Sequence, residues 1–122
     1  MRGLNGLEGK YKMKILIKPL SQNDAWKGKR YKTDHYKAFE MELLYRLPRI
    51  VIPSGELEIN YRFGFSNKCM DIDNPTKSLQ DVLSKKYGFN DNRVYRITID
   101  KIIVPKGSEF VEFEIKELKA IL

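Results

Sequence analysis

Residues 57–65 alternate without a break: Leu57, Ile59, Tyr61, Phe63 and Phe65 are large and apolar, and Glu58, Asn60, Arg62 and Gly64 separate them. A side-chain period of two puts the five apolar groups on one face of an extended strand. Such a strand requires a sheet with one covered face, and the remaining segments read as the elements that pair with it or cover it.

A shorter alternation at residues 13–18 sets Met13, Ile15 and Ile17 against Lys14, Leu16 and Lys18, and Pro19 ends it. Residues 20–32 read as a polar loop. Thr33 or Asp34 is a good N-cap for a helix in which Tyr36, Phe39, Leu43 and Leu47 recur at helical spacing and Pro48 stops the run. Residues 49–53 form an extended connector. Asp73 or Asn74 as cap, Pro75 in the first turn and Gly88 as terminator delimit a second helix. Leu79, Val82, Leu83 and Lys86 or Tyr87 form its inward stripe, and at about 100° per residue Lys77 and Asp81 lie opposite that stripe. Strands over 94–104 and 109–117 follow, joined as a terminal hairpin by the turn Pro105-Lys106-Gly107-Ser108. Val111, Phe113 and Ile115 give the last strand its apolar face. The order β-α-β-α-β-β predicts a single small α+β domain with a mixed sheet and two helices over residues 13–122. Residues 1–12 read as a loose leader, with Met13 an alternative start.

The 122 residues carry 23 Lys plus Arg against 16 Asp plus Glu, a net charge of +7, which is consistent with a polyanionic partner. A chain of this size buries only about two-thirds of its unfolded surface, so a dimer interface would help it. No apolar run approaches the ~18 residues of a membrane span, and the first residues lack the apolar stretch of a signal peptide. The reading is therefore intracellular. With one Cys and one His the chain has no ligands for a Cys/His metal site, and His35 is its only imidazole base. Chemistry falls to carboxylates, lysines and hydroxyls.

Carboxylates cluster in the segment Asp71-Ile72-Asp73-Asn74-Pro75-Thr76-Lys77. Extended, Asp71 and Asp73 point to one side, and a hard divalent cation such as Mg²⁺ or Mn²⁺ relieves their repulsion. Asp73 sits at a helix start, where backbone N–H groups attract a phosphate. Lys77, one turn on, brings an ammonium to that phosphate. Asp91, after the helix, can return as a third carboxylate. The same residues have plainer readings. Asp73 works as a cap, Lys77 and Asp81 as a solvated i, i+4 pair, and Asp91 as a turn residue between Asn90 and Asn92. Cys69 reads as a small packed thiol and His35 as surface. In the loop before the first helix, Lys27, Lys29, Arg30 and Lys32 are interleaved with Trp26 and Tyr31, a pattern that suits phosphate contacts and base stacking, or simply a solvated loop.

With these residues in place, the chain resembles the RusA-type Holliday-junction resolvases. Asp71-x-Asp73-Asn74, then Lys77, then Gly88 and Asp91 one helix later carry the resemblance. Pro19, Asn23, Trp26, the basic stretch to Thr33 and the closing strands add to it, from about residue 13 to 118. The resemblance implies a RusA-like fold and a small homodimeric endonuclease that cuts four-way DNA using Mg²⁺, with Mn²⁺ as a substitute. It implies metal ligation by Asp71, Asp73 and Asp91 and a catalytic role for Lys77. Contacts to branched DNA are expected from Asn23, Trp26, Lys27, Lys29, Arg30 and Lys32. It also implies a bacterial, phage or prophage source and a cytoplasmic setting. Where such proteins often carry an adjacent acidic pair at the third position, Asn90 and Asn92 flank Asp91, and Asp81 stands as an alternative ligand. Cys69-Met70, not a basic residue, precedes the first aspartate. The expected activity is metal-assisted phosphodiester hydrolysis with paired symmetric cuts, in recombination and repair. The alternatives are a non-catalytic nucleic-acid-binding module and a nuclease for flaps, forks or RNA.

Overall fold

A computed structural model describes residues 10–20, 26–27, 31–72 and 74–118 of the chain. Its centre is β4 (Leu57–Phe65), whose five apolar side chains are all buried. Around it stand β1 (Lys10–Ile15), α1 (Asp34–Arg46), α2 (Asn74–Tyr87), β5 (Val94–Ile103) and β6 (Phe110–Glu117). Two short strands, β2 (Trp26–Lys27) and β3 (Tyr31–Lys32), pair with each other before α1. The four-stranded sheet has the order β1-β6-β4-β5, with β4 parallel to β5 and antiparallel to β6. The α+β class and the element order are those the sequence predicts, with the β2–β3 ladder added.

Helices cover one face of the sheet. Thr33 caps α1, its Oγ1 accepting the Tyr36 N–H at 3.1 Å, so of the two candidate caps Thr33 fills the role and Asp34 opens the helix. Tyr36, Phe39 and Leu43 face inward, and Pro48 follows the last bond, from the Leu47 N–H to Leu43 O at 2.8 Å. In α2, Leu79, Val82 and Leu83 are fully buried, and Gly88 ends the helix at φ +72, a conformation open to glycine. These side chains interlock with Ile59, Tyr61, Phe63, Val111, Phe113 and Ile115 in one core. Tyr87 Oη donates to Pro48 O at 2.8 Å, and Lys85 reaches Glu40 on α1 at 3.4 Å, so the two helices brace each other.

The other sheet face is polar and cross-linked by charge. Glu112 on β6 is 5% exposed, and its carboxylate lies 3.3 Å from Arg62 on β4 and 3.6 Å from Lys12 on β1. A buried carboxylate held by two cations escapes the cost of burying an unpaired charge. On the same face Asn60 donates to Glu114 at 3.0 Å and accepts from Thr98 at 2.6 Å.

Two expectations are corrected. The last two strands do not form a hairpin, because β4 lies between β5 and β6. The turn at 105–108 exists, closed by the Ser108 N–H on Pro105 O at 2.9 Å, but it carries the chain across the end of β4. Alternation reports a strand's faces and says nothing about its neighbours; the most apolar strand took the centre, where both its edges are paired. Gly64 permits the crossing, since a Cβ there would stand 2.3 Å from the Phe110 ring. The first strand also runs over Lys10–Ile15 instead of 13–18. Its ladder ends where Ile15 meets Val111, near the start of β6, leaving Leu16 exposed; residues 10–12, read as leader, belong to the sheet.

Candidate active site

Helix α2 and the turn after it bring Lys77, Asp81 and Asp91 together. Lys77 and Asp81 are one turn apart on the outward side of α2, with Nζ 3.1 Å from Asp81 Oδ1. Asp91 opens a single 3₁₀ turn, Asp91–Arg93, and its Oδ2 lies 3.9 Å from the same ammonium. That turn is held from both ends. Asn90 Oδ1 accepts the Asn92 N–H at 2.9 Å, and the Arg93 guanidinium donates to Gly55 O at 2.9 Å and to Pro53 O. The asparagines flanking Asp91 therefore shape the turn that aims it. Asp91 is thus a turn residue between two asparagines, as the plainer of its two readings has it.

Two tyrosines underlie this cluster, and the sequence reading placed both simply in the core pattern. Tyr36, nearly fully buried on α1, shares a hydrogen bond with Asp81. Burial first, then the negative charges of Asp81 and Glu40, push its hydroxyl up to about 12. Tyr61 on β4 donates to Gln80 Oε1 at 2.8 Å; burial, then Asp91 and Asp81, hold its pKa well above the ordinary value. A phenylalanine would fill either position, so a buried tyrosine is itself a signal of a polar partner. These hydroxyls stay neutral beside two carboxylates, and Tyr36 fixes Asp81 in place.

This coupling has a measurable consequence. Folding holds Tyr36 neutral, so its contribution is complete below the ordinary value of 10 and is lost as pH rises through about 12. The denaturation midpoint is expected to fall across that interval, and Tyr36→Phe should reduce the fall, leaving the share due to Tyr61. An unchanged pH profile in Tyr36→Phe would refute the coupling.

Other expected site residues lie at varying distances from this cluster. Asp71 is exposed on the loop before α2, and no hydrogen bond or ion pair among the described residues ties it to the cluster. Asp73, together with Asn23, Lys29 and Arg30, lies outside the described residues. In the β2–β3 ladder Trp26 stands opposite Lys32 and Lys27 opposite Tyr31. Lys32 is partly exposed and already engaged: its Nζ lies 3.3 Å from Glu40 and 4.8 Å from the centre of the Tyr36 ring. Lys32 is thus linked through Tyr36 to Asp81 and Lys77. Cys69 is exposed and free, so it is no packed thiol; it sits in a polar loop where its N–H donates to Asn67 Oδ1 at 2.9 Å. His35 is on the surface, as expected, and borders a cleft of about 870 Å³ with Lys18, Lys106 and Met70, apart from the Lys77 cluster.

Among the described residues, no group of three or more His, Cys, Asp or Glu side chains is placed to hold a metal ion. Asp81 and Asp91 supply two carboxylates on one ammonium. Asp81 also bonds Tyr36, whereas among the described residues the Asp91 carboxylate has the longer contact to Lys77 alone, so Asp91 is the less engaged of the two. No helix among the described residues is long and apolar enough to cross a membrane. The chain matches the family model described as Endodeoxyribonuclease RusA over residues 7–115, most of its length. No curated protein matches it significantly.

Proposed function

The chain belongs to the RusA endodeoxyribonuclease family, and from that premise we propose that it resolves four-way DNA junctions by metal-dependent phosphodiester hydrolysis. Asp71, Asp73 and Asp91 would hold Mg²⁺, with Mn²⁺ as a substitute. The donor set is carboxylate oxygen throughout, which suits a hard divalent cation. When bound, the cation polarises the scissile phosphate and lowers the pKa of an attacking water.

The chain's own residues do the rest. Lys77 sets its ammonium against the phosphoryl oxygens, where charge grows during the reaction, and the neighbouring carboxylates keep that ammonium positioned. Asp81, tethered by the Tyr36 hydroxyl, orients Lys77 and is not itself a ligand. Asn23, Trp26, Lys27, Lys29, Arg30 and Lys32 contact the branched DNA, and the approach of Lys32 to the Tyr36 ring supports a DNA path that passes beside the chemistry. Two symmetric cuts in a substrate with its own two-fold axis call for a homodimer with two equivalent sites. The setting is the cytoplasm of a bacterium, in recombination and repair, with the chain encoded by the host or by a phage or prophage.

The approach of Asp91 to Lys77, from opposite ends of α2, is the observation that supports this reading most. Lys77→Ala is expected to lower the turnover of a synthetic four-way junction by about 10²-fold while junction affinity changes less than threefold. The reverse pattern, weak binding with preserved turnover, would make Lys77 a binding residue and favour a non-catalytic module.

A further inference from the structure

β5 is a ten-residue edge strand, Val94–Ile103, and no strand among the described residues pairs with its outer edge. It is poorly protected. Tyr95 is 63% exposed, Ile97 42% and Ile103 52%, although Ile97 and Ile103 lie on the face that carries the core elsewhere in the sheet. Long edges with exposed aliphatic side chains invite another strand unless charge, proline or a bulge blocks them. The only register irregularity between β4 and β5 lies at the β5 start, beside Leu57 and Glu58, and residues 96–103 run straight.

The order of residues along β5 is self-complementary about Thr98. If a second copy lay antiparallel with Thr98 on the two-fold axis, Arg96 would face the second copy's Asp100, and Asp100 its Arg96. Ile97 would face Ile99 in both directions, within the stretch that runs straight. Neither Arg96 nor Asp100 makes an ion pair among the described residues; Asp100 stands opposite Arg62, whose guanidinium is turned to Glu112. Registers centred one residue away are worse. Centring on Ile97 sets Arg96 against Thr98 and leaves Asp100 without its opposite charge, and centring on Ile99 sets Ile97 against Lys101. Directly opposite pairs of this kind decide antiparallel register, and an isologous contact makes every favourable pair twice.

We propose that the outer edge of β5 pairs antiparallel with β5 of a second copy of this chain, two-fold about Thr98, joining the two sheets into one eight-stranded sheet. This rests on the homodimer in the reading above and is independent of its chemistry. The test is cross-linking in full-length chains that also carry Cys69→Ser. With Thr98→Cys the two thiols meet on the axis, where opposed Cα atoms in antiparallel strands are about 4.5–5.5 Å apart, within disulfide range. Copper-phenanthroline oxidation should convert most of this protein to a covalent dimer. The matched Tyr95→Cys control, off the axis, should stay uncross-linked.

Charge reversal gives a second readout by sedimentation. Arg96→Glu and Asp100→Arg should each weaken the dimer at least about tenfold, and combining them should restore it to within about threefold of the parent. A monomeric parent would overturn the proposal. So would a parent dimer in which Thr98→Cys fails to cross-link and both reversals leave assembly unchanged, although that result would leave the nuclease reading standing, since cleavage is measured separately.

Discussion

Asp91→Asn is expected to reduce Mg²⁺-dependent cleavage of a four-way junction by roughly 10³-fold while binding of the same junction in the absence of metal changes little. The substitution keeps size and shape and removes the charge. Asp91 projects from a 3₁₀ turn fixed by Asn90 and by the Arg93 guanidinium, so the backbone has no reason to move. The companion Asp81→Asn separates the two carboxylates. Asp81 is bound to Tyr36 and Lys77, so its loss should disturb Lys77 placement and cost about tenfold, well short of the loss at Asp91. Equal losses at both positions would exchange their roles or merge them. Full activity in Asp91→Asn would remove Asp91 from the mechanism.

Phe63→Ala should cost about 3–5 kcal/mol in stability, read as a drop in the urea midpoint with an unchanged slope. Phe63 is fully buried at the middle of the central strand. Its ring stacks on Tyr61 at 5.9 Å and packs tilted against Phe65 at 6.2 Å. Ladders on both edges of β4 fix it between β5 and β6, so the sheet cannot close around the space left by the ring. A small domain has roughly 5–15 kcal/mol in total, and this one substitution removes a large share of it. A loss below 1 kcal/mol would mean that the site repacks and that β4 is not the rigid centre described above.

What could be read from the amino-acid order divides along physical lines. Local signals held. The alternation of residues 57–65 became the central strand, Thr33 capped its helix, Pro48 and Gly88 ended theirs, and Leu79, Val82 and Leu83 formed the inward stripe. Each depends on geometry within a few residues. The hairpin expectation failed because adjacency in a sheet is a long-range property, and the Pro105–Ser108 turn looks the same whether the chain folds back on its neighbour or crosses β4. The same limit applied to the site. Asp91 was expected to return to Asp71 and Asp73 as a third carboxylate; the contact the structure gives it is with Lys77, and among the described residues nothing ties it to Asp71. Tyr36 and Tyr61 went unread because apolar periodicity accounts for their rings and is silent about their hydroxyls. Cys69 was misread because burial of a lone thiol is a statistical habit, and in this loop nothing covers it.

The account depends on aspartates distant in sequence forming one divalent-cation site that hydrolyses DNA. The most direct measurement is strand scission of a synthetic four-way junction by the parent and by Asp73→Asn, each with Mg²⁺ and with EDTA. Paired symmetric nicks from the parent in Mg²⁺ alone, and none from Asp73→Asn in either condition, is the predicted result. Binding without scission by the parent at every Mg²⁺ concentration, or cutting that persists in EDTA, would contradict it.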